Sequence, residues 1–186
     1  MIRTVRNAAR LEGTVTLPGD KSISQRAVLL NSIATGGAHV SNLCHGDDRA
    51  SILSCMGGLG ISITPHSNCA HTGADECFLV EGRGPDGLSE PGAVLDAGNS
   101  GTTARLITGL LAAQPFFSVV TGDESLRARP MDRIVTPLTE MGARILGRDG
   151  NSYAPLAIRG GELSGISFDQ PVASAQVKSS VIIAGI

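Results

Sequence analysis

"KSISQRAVLL" (residues 21–30), "NSGTTARLIT" (99–108) and "ASAQVKSSVII" (173–183) open three helices in the same way. With Ser22 aligned to Gly101 and to Ser174, a cation stands four residues on in each copy: Arg26, Arg105 and Lys178. An apolar run follows every time, and the copies are offset by 79 and 73 residues. Self-similarity at a long, nearly constant period marks a supersecondary unit repeated along the chain. The unit, more than any single helix, decides the fold.

The second half of the unit recurs as well. "HGDDRASILSCMGGLGISI" (45–63) resembles "TGDESLRARPMDRIVTPLTEMGARIL" (121–146). Gly46-Asp47 matches Gly122-Asp123 at a spacing of 76, and Leu59-Gly60 matches Met141-Gly142 at a spacing of 82. The second copy therefore holds about six extra residues, and "SLRARP" (125–130) is where they fit. An insertion in one copy of a repeat usually lies on a loop and often carries function.

One unit reads strand, helix, strand, helix, strand, strand. In the first, Ile23, Ala27, Leu30 and Ala34 share a face at helical spacing, which predicts a helix over about 22–35 ended by Gly36-Gly37. "HVSNL" (39–43) reads as a strand, a second helix runs from an Asp47 N-cap to Gly57, and "ISIT" (61–64) with "CFLVEG" (77–82) makes a hairpin. "GRGPDGLSEPG" (82–92) is a turn-rich connector. In the second unit "AVLDAG" (93–98) and "FFSVVTG" (116–122) are strands around a helix over 101–113. Pro130 suits the first turn of the next helix, Gly142 ends it, and Pro137 inside it should kink it. "ARILGR" (143–148) and "YAPLAIRG" (153–160) form the second hairpin. A third unit opens with "GISFDQP" (165–171) and a helix that runs to the last residue without a cap, as expected of a truncated chain or one piece of a longer one. The expected class is α/β (α+β), built of βαβαββ units: about 20–90, 91–162 and an incomplete 163–186.

Composition narrows the function. Hydrophobic residues make up 41% of the 186, enough for a folded core, while aromatics are only 3%. The net charge is −2 with no basic stripe and almost no stacking aromatics, which argues against a nucleic-acid binder. No apolar run approaches the ~20 residues that span a bilayer. "MIRTVRNAAR" (1–10) has the composition of a transit peptide but is short and runs into the strand-like "GTVTLPG" (13–19), so a cytoplasmic protein is expected. Cys44, Cys55, Cys69 and Cys77 form no C-x-x-C pair and read as reduced thiols. His66, Cys69, His71 and Cys77 are of types that hold zinc, but their spacing fits no standard finger, and a polar hairpin tip is the plainer reading.

The helix mouths carry the chemistry. A first helical turn offers free N–H groups and a partial positive charge, which favours anions. Small residues there permit close approach, and Lys21, Arg26, Arg127 and Arg129 add charge. Arg grips a carboxylate or phosphate with two bonds, and Lys acts as a point charge. Taken singly, Ser22 reads as an N-cap and Lys21 as a solvated side chain; taken together, the mouths suit a small, multiply anionic ligand. No G-x-x-x-x-G-K-[ST] loop is present, and the His residues lie away from the mouths, so neither nucleotide hydrolysis nor a Ser-His pair is supported.

"LPGDKSISQR" (17–26), "DAGNSGTTAR" (96–105), "GDESLRARPM" (122–131) and "PVASAQVKSSVIIAG" (171–185) resemble, in order, four motifs of the 5-enolpyruvylshikimate-3-phosphate synthase family. The likeness runs from about residue 11 to the end. Ala175 is similar to a bacterial branch that has Ala where others have a second Ser. The resemblance implies the enolpyruvyl transferase fold of two domains that close like a clamp, residues 1–19 being a first strand and crossover of the far domain and 20–186 an incomplete near domain. It implies transfer of the enolpyruvyl (carboxyvinyl) group of phosphoenolpyruvate to the 5-hydroxyl of shikimate 3-phosphate, with loss of phosphate. The reaction is a step of the shikimate pathway to chorismate and aromatic amino acids, and it uses no metal or organic cofactor.

By motif, the resemblance gives Lys21 to both substrates. It gives Ser22, Arg26, Ser174 and Gln176 to shikimate 3-phosphate, and Gly101, Arg129 and Gln176 to phosphoenolpyruvate. Asn99 shapes the turn before Gly101, and Arg127 is a helper of Arg129. The catalytic Asp of the family belongs to the half not present here, so no catalytic residue is expected in this chain, which should bind weakly and not turn over. Gly101 implies room for glyphosate, although Leu106 stands where another branch has Pro. The intact protein is expected to be a monomer. UDP-N-acetylglucosamine enolpyruvyl transferase shares the fold but carries a Cys in its mobile loop, which "GDESLRARP" lacks; a non-catalytic module that captures a phosphorylated metabolite is the rival of another class.

Overall fold

Asp20 starts the first helix: its Oδ1 accepts from the Ile23 N–H at 2.7 Å and so caps α1 (Lys21–Ile33). The computed structural model describes residues 3–4, 7–15, 17–66, 69 and 76–186. After α1 come β1 (Thr35–Ser41), α2 (Asp47–Gly58), β2 (Ser62–His66) and β3 (Cys77–Arg83). A 3-10 turn at Pro85–Gly87 leads to β4 (Leu95–Asp96), α3 (Gly101–Ala112), β5 (Phe117–Thr121), α4 (Glu124–Arg127) and α5 (Asp132–Glu140). Then follow β6 (Arg144–Gly147), the tight turn α6 (Arg148–Asn151), β7 (Tyr153–Arg159) and α7 (Ala175–Ala184).

The strands form two sheets, ordered β1-β3-β2 and β4-β5-β7-β6. Every pairing is antiparallel except β4 with β5, which α3 joins as a crossover. In β7, Ala154, Leu156 and Ile158 are buried and their neighbours are not, the alternation of a strand with one face in the core. The core is one cluster, running from Leu29, Ile52 and Met56 beside the first sheet to Leu106, Ile134 and Leu156 beside the second. Eleven of the twelve residues of α3 are buried, because α5, α7 and β7 all pack on it.

A detail of the repeat shows only in three dimensions. A β-carbon on Gly82 in β3 would lie 2.2 Å from the Asn31 carbonyl oxygen and 2.3 Å from that of Ala34. A β-carbon on Gly160, just after β7, would lie 2.2 Å from the Leu111 oxygen and 2.3 Å from that of Gln114. In both units the end of the first helix rests on the last strand, and only glycine lets the backbones meet.

Several expectations change at the boundaries. Gly36 and Gly37 do not end α1; the helix stops at Ile33, and both glycines lie in β1, paired with Gly82 and Glu81. Gly46, with φ 118°, takes the N-cap place of α2, and Asp47 and Asp48 fall in the first turn, where the helix dipole favours them. Pro130 precedes the Met131 cap of α5, and that helix runs on through a buried Pro137. The inserted "SLRARP" holds α4, a single turn capped by Asp123. Neither 165–171 nor the described part of 13–19 lies in a strand; Val15 and Leu17 are exposed and have no strand to pair with among the described residues. Cys69 and Cys77 are not separate thiols. Their Cα atoms lie 6.2 Å apart and they form a disulfide, which removes both as thiolate metal ligands. His71 lies outside the described residues. Among the described residues no group of three or more His, Cys, Asp or Glu is placed to hold a metal, and no helix is long and apolar enough to cross a membrane.

Candidate functional site

The mouths of α1, α3 and α7 are tied together by side chains. Ser100 caps α3: its Oγ accepts from the Thr103 N–H at 3.1 Å and from Gln25 Nε2 of α1 at 2.8 Å. Ser174 caps α7, its Oγ accepting from the Val177 N–H at 3.4 Å. Ser22 is not a cap, since Asp20 holds that place; its hydroxyl stays free of that duty in the first turn. The side chain of Ser22's partner in the motif, Arg26, turns back on its own helix and outward to α7. Arg26 Nη1 donates to the Ser22 carbonyl at 3.1 Å, and its Nε and Nη2 donate to Ser179 Oγ at 3.3 and 2.9 Å.

Arg105 does the same one repeat later. Its Nη1 donates to the Gly101 carbonyl at 3.2 Å and to Gln176 Oε1 of α7 at 3.1 Å, and its Nη2 donates to the Pro130 carbonyl at 2.8 Å. Gln176 Nε2 in turn donates to Thr102 Oγ1 at 2.9 Å. All of Arg105's acceptors are neutral. Burial, then the nearby charges of Arg129 and Arg133, hold its acidity above that of an ordinary guanidinium, with Asp132 opposing.

The inserted loop is built around Asn99. Its Nδ2 donates to Asp123 Oδ2 at 2.7 Å, and its Oδ1 accepts from Arg129 Nη2 at 2.7 Å. Arg129 Nη1 donates to the Asn99 carbonyl at 3.2 Å, and Nη2 also reaches Ser125 Oγ at 3.1 Å. Asp123 Oδ1 accepts from the Leu126 N–H at 2.7 Å, which starts α4. The Asn99 bond first, and the Leu126 bond second, hold the Asp123 carboxyl below its usual range.

Two guanidiniums therefore flank Gly101. A β-carbon there would lie 2.7 Å from Arg105 Nη1 and 3.4 Å from Arg129 Nη1. The cations meet beside a helix N-terminus, and among the described residues no carboxylate is bonded to either, an arrangement whose charge and donors suit an anion such as phosphate or carboxylate.

Gly101, Arg129 and Gln176 thus come together around Arg105, and Ser22 and Arg26 come together with Ser179. Lys21 stands apart, its Nζ 2.8 Å from Asp48 Oδ2 of α2 with the side chain 61% exposed. Arg127 is exposed and lines a separate depression with Arg148 and Tyr153. A concavity of about 270 Å³ between α5 and residues 168–172 is lined by Phe168, Pro171 and Val172 and includes none of the mouth residues singled out in the sequence. Asp48, Ser179 and Thr102 were missed in the sequence. Arg105 was visible there as the repeat equivalent of Arg26, but its contact with α7 was not.

The family model described as EPSP synthase (3-phosphoshikimate 1-carboxyvinyltransferase) matches residues 5–186. A 3-phosphoshikimate 1-carboxyvinyltransferase of Pelotomaculum thermopropionicum is 55% identical over 176 residues, which are 95% of this chain and 39% of that protein. The enzyme of the same name from Alkaliphilus metalliredigens is 53% identical, over 95% of this chain and 40% of its own length. The solved structure of EPSP synthase from Acinetobacter baumannii superposes with a TM-score of 0.84 at 42% identity, covering 93% of this chain and 38% of that one. The chain thus spans roughly two fifths of the length of these relatives.

Proposed function

Since the chain belongs to the EPSP synthase family, we propose that it supplies part of the site of an enzyme that transfers the enolpyruvyl group of phosphoenolpyruvate to shikimate 3-phosphate. The 5-hydroxyl of shikimate 3-phosphate adds to C2 of phosphoenolpyruvate, and the tetrahedral intermediate expels phosphate. Residues 1–19 belong to a second domain, and 20–186 form most of the first.

The observation that carries the assignment is the pair of guanidiniums around Gly101 whose bonded partners are all neutral. On this reading phosphoenolpyruvate lies against Gly101 and Arg129, and shikimate 3-phosphate lies against Ser22, Arg26 and Ser174, with Gln176 between them. Lys21 reaches both ligands. One of its three N–H donors serves Asp48, and its exposure leaves the others free. Lys21 and Arg129 stabilise the charge that gathers on the departing phosphate, a role fixed dipoles and cations perform best when they need not reorganise. Glyphosate competes beside Gly101. The protein works in the cytoplasm, as a monomer when intact, without a cofactor.

Titration followed by NMR tests the reading. Shikimate 3-phosphate should shift the signals of Ser22, Arg26, Ser174 and Gln176. Phosphoenolpyruvate, and glyphosate after it, should shift those of Gly101 and Arg129. Ligands that leave all of these signals in place at millimolar concentration would overturn the assignment.

A further inference from the structure

We propose that Arg105 is a positioning residue: it fixes the amide orientation of Gln176 and ties the Arg129 loop to the mouth of α3, so that the anion centre at Gly101 is assembled before any ligand arrives. The inference rests on the reading of Gly101, Arg129 and Gln176 as the phosphoenolpyruvate face, and it adds a residue that the motif comparison left without a role.

Arg105 is the one residue of α3 that is not buried, and its head touches three separate segments. It bonds Gly101 of its own helix, Gln176 of α7 and Pro130, the residue after Arg129. The Gln176 amide is held from both ends, its oxygen by Arg105 Nη1 at 3.1 Å and its nitrogen by Thr102 Oγ1 at 2.9 Å. Turning the amide over would set its N–H₂ against a guanidinium N–H, donor against donor, so a single orientation survives. The second N–H of that amide then has a fixed direction for whatever lies between α3 and α7. The bond to Pro130 holds the chain next to Arg129 by its carbonyl, so the spacing of the two guanidiniums is set by Arg105 itself.

A lysine cannot replace it. Three acceptors on three segments need the planar fork of a guanidinium, and one ammonium on a flexible stem carries the charge without the geometry. Gly101 is part of the same device. A β-carbon there would meet Arg105 Nη1 at 2.7 Å, so a side chain at 101 expels the guanidinium from its place as well as crowding a ligand.

Two measurements on the protein decide the matter. First, in the free protein, the side-chain amide signals of Gln176 should be displaced from those of a solvated amide and slow to exchange. In Arg105→Lys and Arg105→Gln they should both move to the solvated position. Second, with shikimate 3-phosphate present, both variants should bind phosphoenolpyruvate about tenfold more weakly, the loss expected when a hydrogen bond to a charged group goes. The lysine variant should give no rescue. Unchanged Gln176 amide signals in the two variants, or a lysine variant that binds phosphoenolpyruvate as tightly as the parent, would overturn the proposal. If the parent protein binds no phosphoenolpyruvate at all, the functional reading falls, while the amide signals still decide whether Arg105 orients Gln176.

Discussion

Asn99 and Gln176 do one job at two places. Each side-chain amide lies between an arginine on its oxygen and an acceptor on its nitrogen: Arg129 and Asp123 for Asn99, Arg105 and Thr102 for Gln176. Such an amide orients its neighbours without adding charge to the anion centre. Asp123 gives this a pH signature. Its folded-state acidity is raised, so the stability it contributes is fully present above the ordinary carboxylate pKa of about 4 and is lost as the pH falls through its lower folded value. In Asp123→Asn that share of the acid sensitivity should vanish. Urea unfolding from pH 7 down to pH 2 should show parent and variant separated by a constant gap above about pH 5 that narrows below it; a gap that stays constant throughout would remove Asp123 from the account. Asn99 could be placed in the sequence by its motif. Its tie to Asp123, 24 residues away, could not, because both are exposed polar residues whose pairing depends on where the inserted loop folds.

The helices and hairpins follow from local pattern, and their ends do not. The strand expected at "YAPLAIRG" and the helix expected over 101–113 lie within a residue or two of β7 and α3. Gly36-Gly37 read as a helix stop on local grounds, yet they lie in β1 because β3 supplies hydrogen-bond partners for that stretch. The glycines that matter for packing, Gly82 and Gly160, sit in "EGRG" and "IRGG", where nothing in the sequence distinguishes them from turn residues. Their role belongs to the contact of helix end and strand, and a substitution should act on that contact. Gly82→Ala and Gly160→Ala are each expected to cost about 1–3 kcal/mol, the range for forcing extra atoms into a packed site. Chemical denaturation should register both losses, while Gly161→Ala, whose β-carbon would meet nothing within 4 Å, should change little. Equal effects of the 160 and 161 substitutions would rule out the close approach as the cause.

The two sheets share one continuous core, and the three helix mouths are joined across it by Gln25, Arg26 and Arg105. A chain of 186 residues thus connects the cations and amides of the proposed anion centre, yet it spans only 39% and 40% of the length of relatives named 3-phosphoshikimate 1-carboxyvinyltransferase. Residues 1–186 by themselves should bind ligand weakly and release no phosphate from phosphoenolpyruvate and shikimate 3-phosphate above background. Robust product formation in a phosphate-release assay would show that the additional length of the relatives is dispensable for the reaction.

The sequence by itself determined the repeat, the class of fold and the residue types at each mouth, because periodic apolar positions, caps and turn residues act over a few residues and leave their pattern in the order of the chain. It also carried the family, through four motifs in order. The tertiary structure decided which of those residues meet. It set Lys21 against Asp48, joined Arg26 to Ser179, and made Arg105 the link between α3, α7 and the inserted loop. The physical reason is that a guanidinium or an amide takes its partners from whatever packing brings within about 3 Å, and packing is fixed by the burial of the whole core rather than by neighbours in sequence.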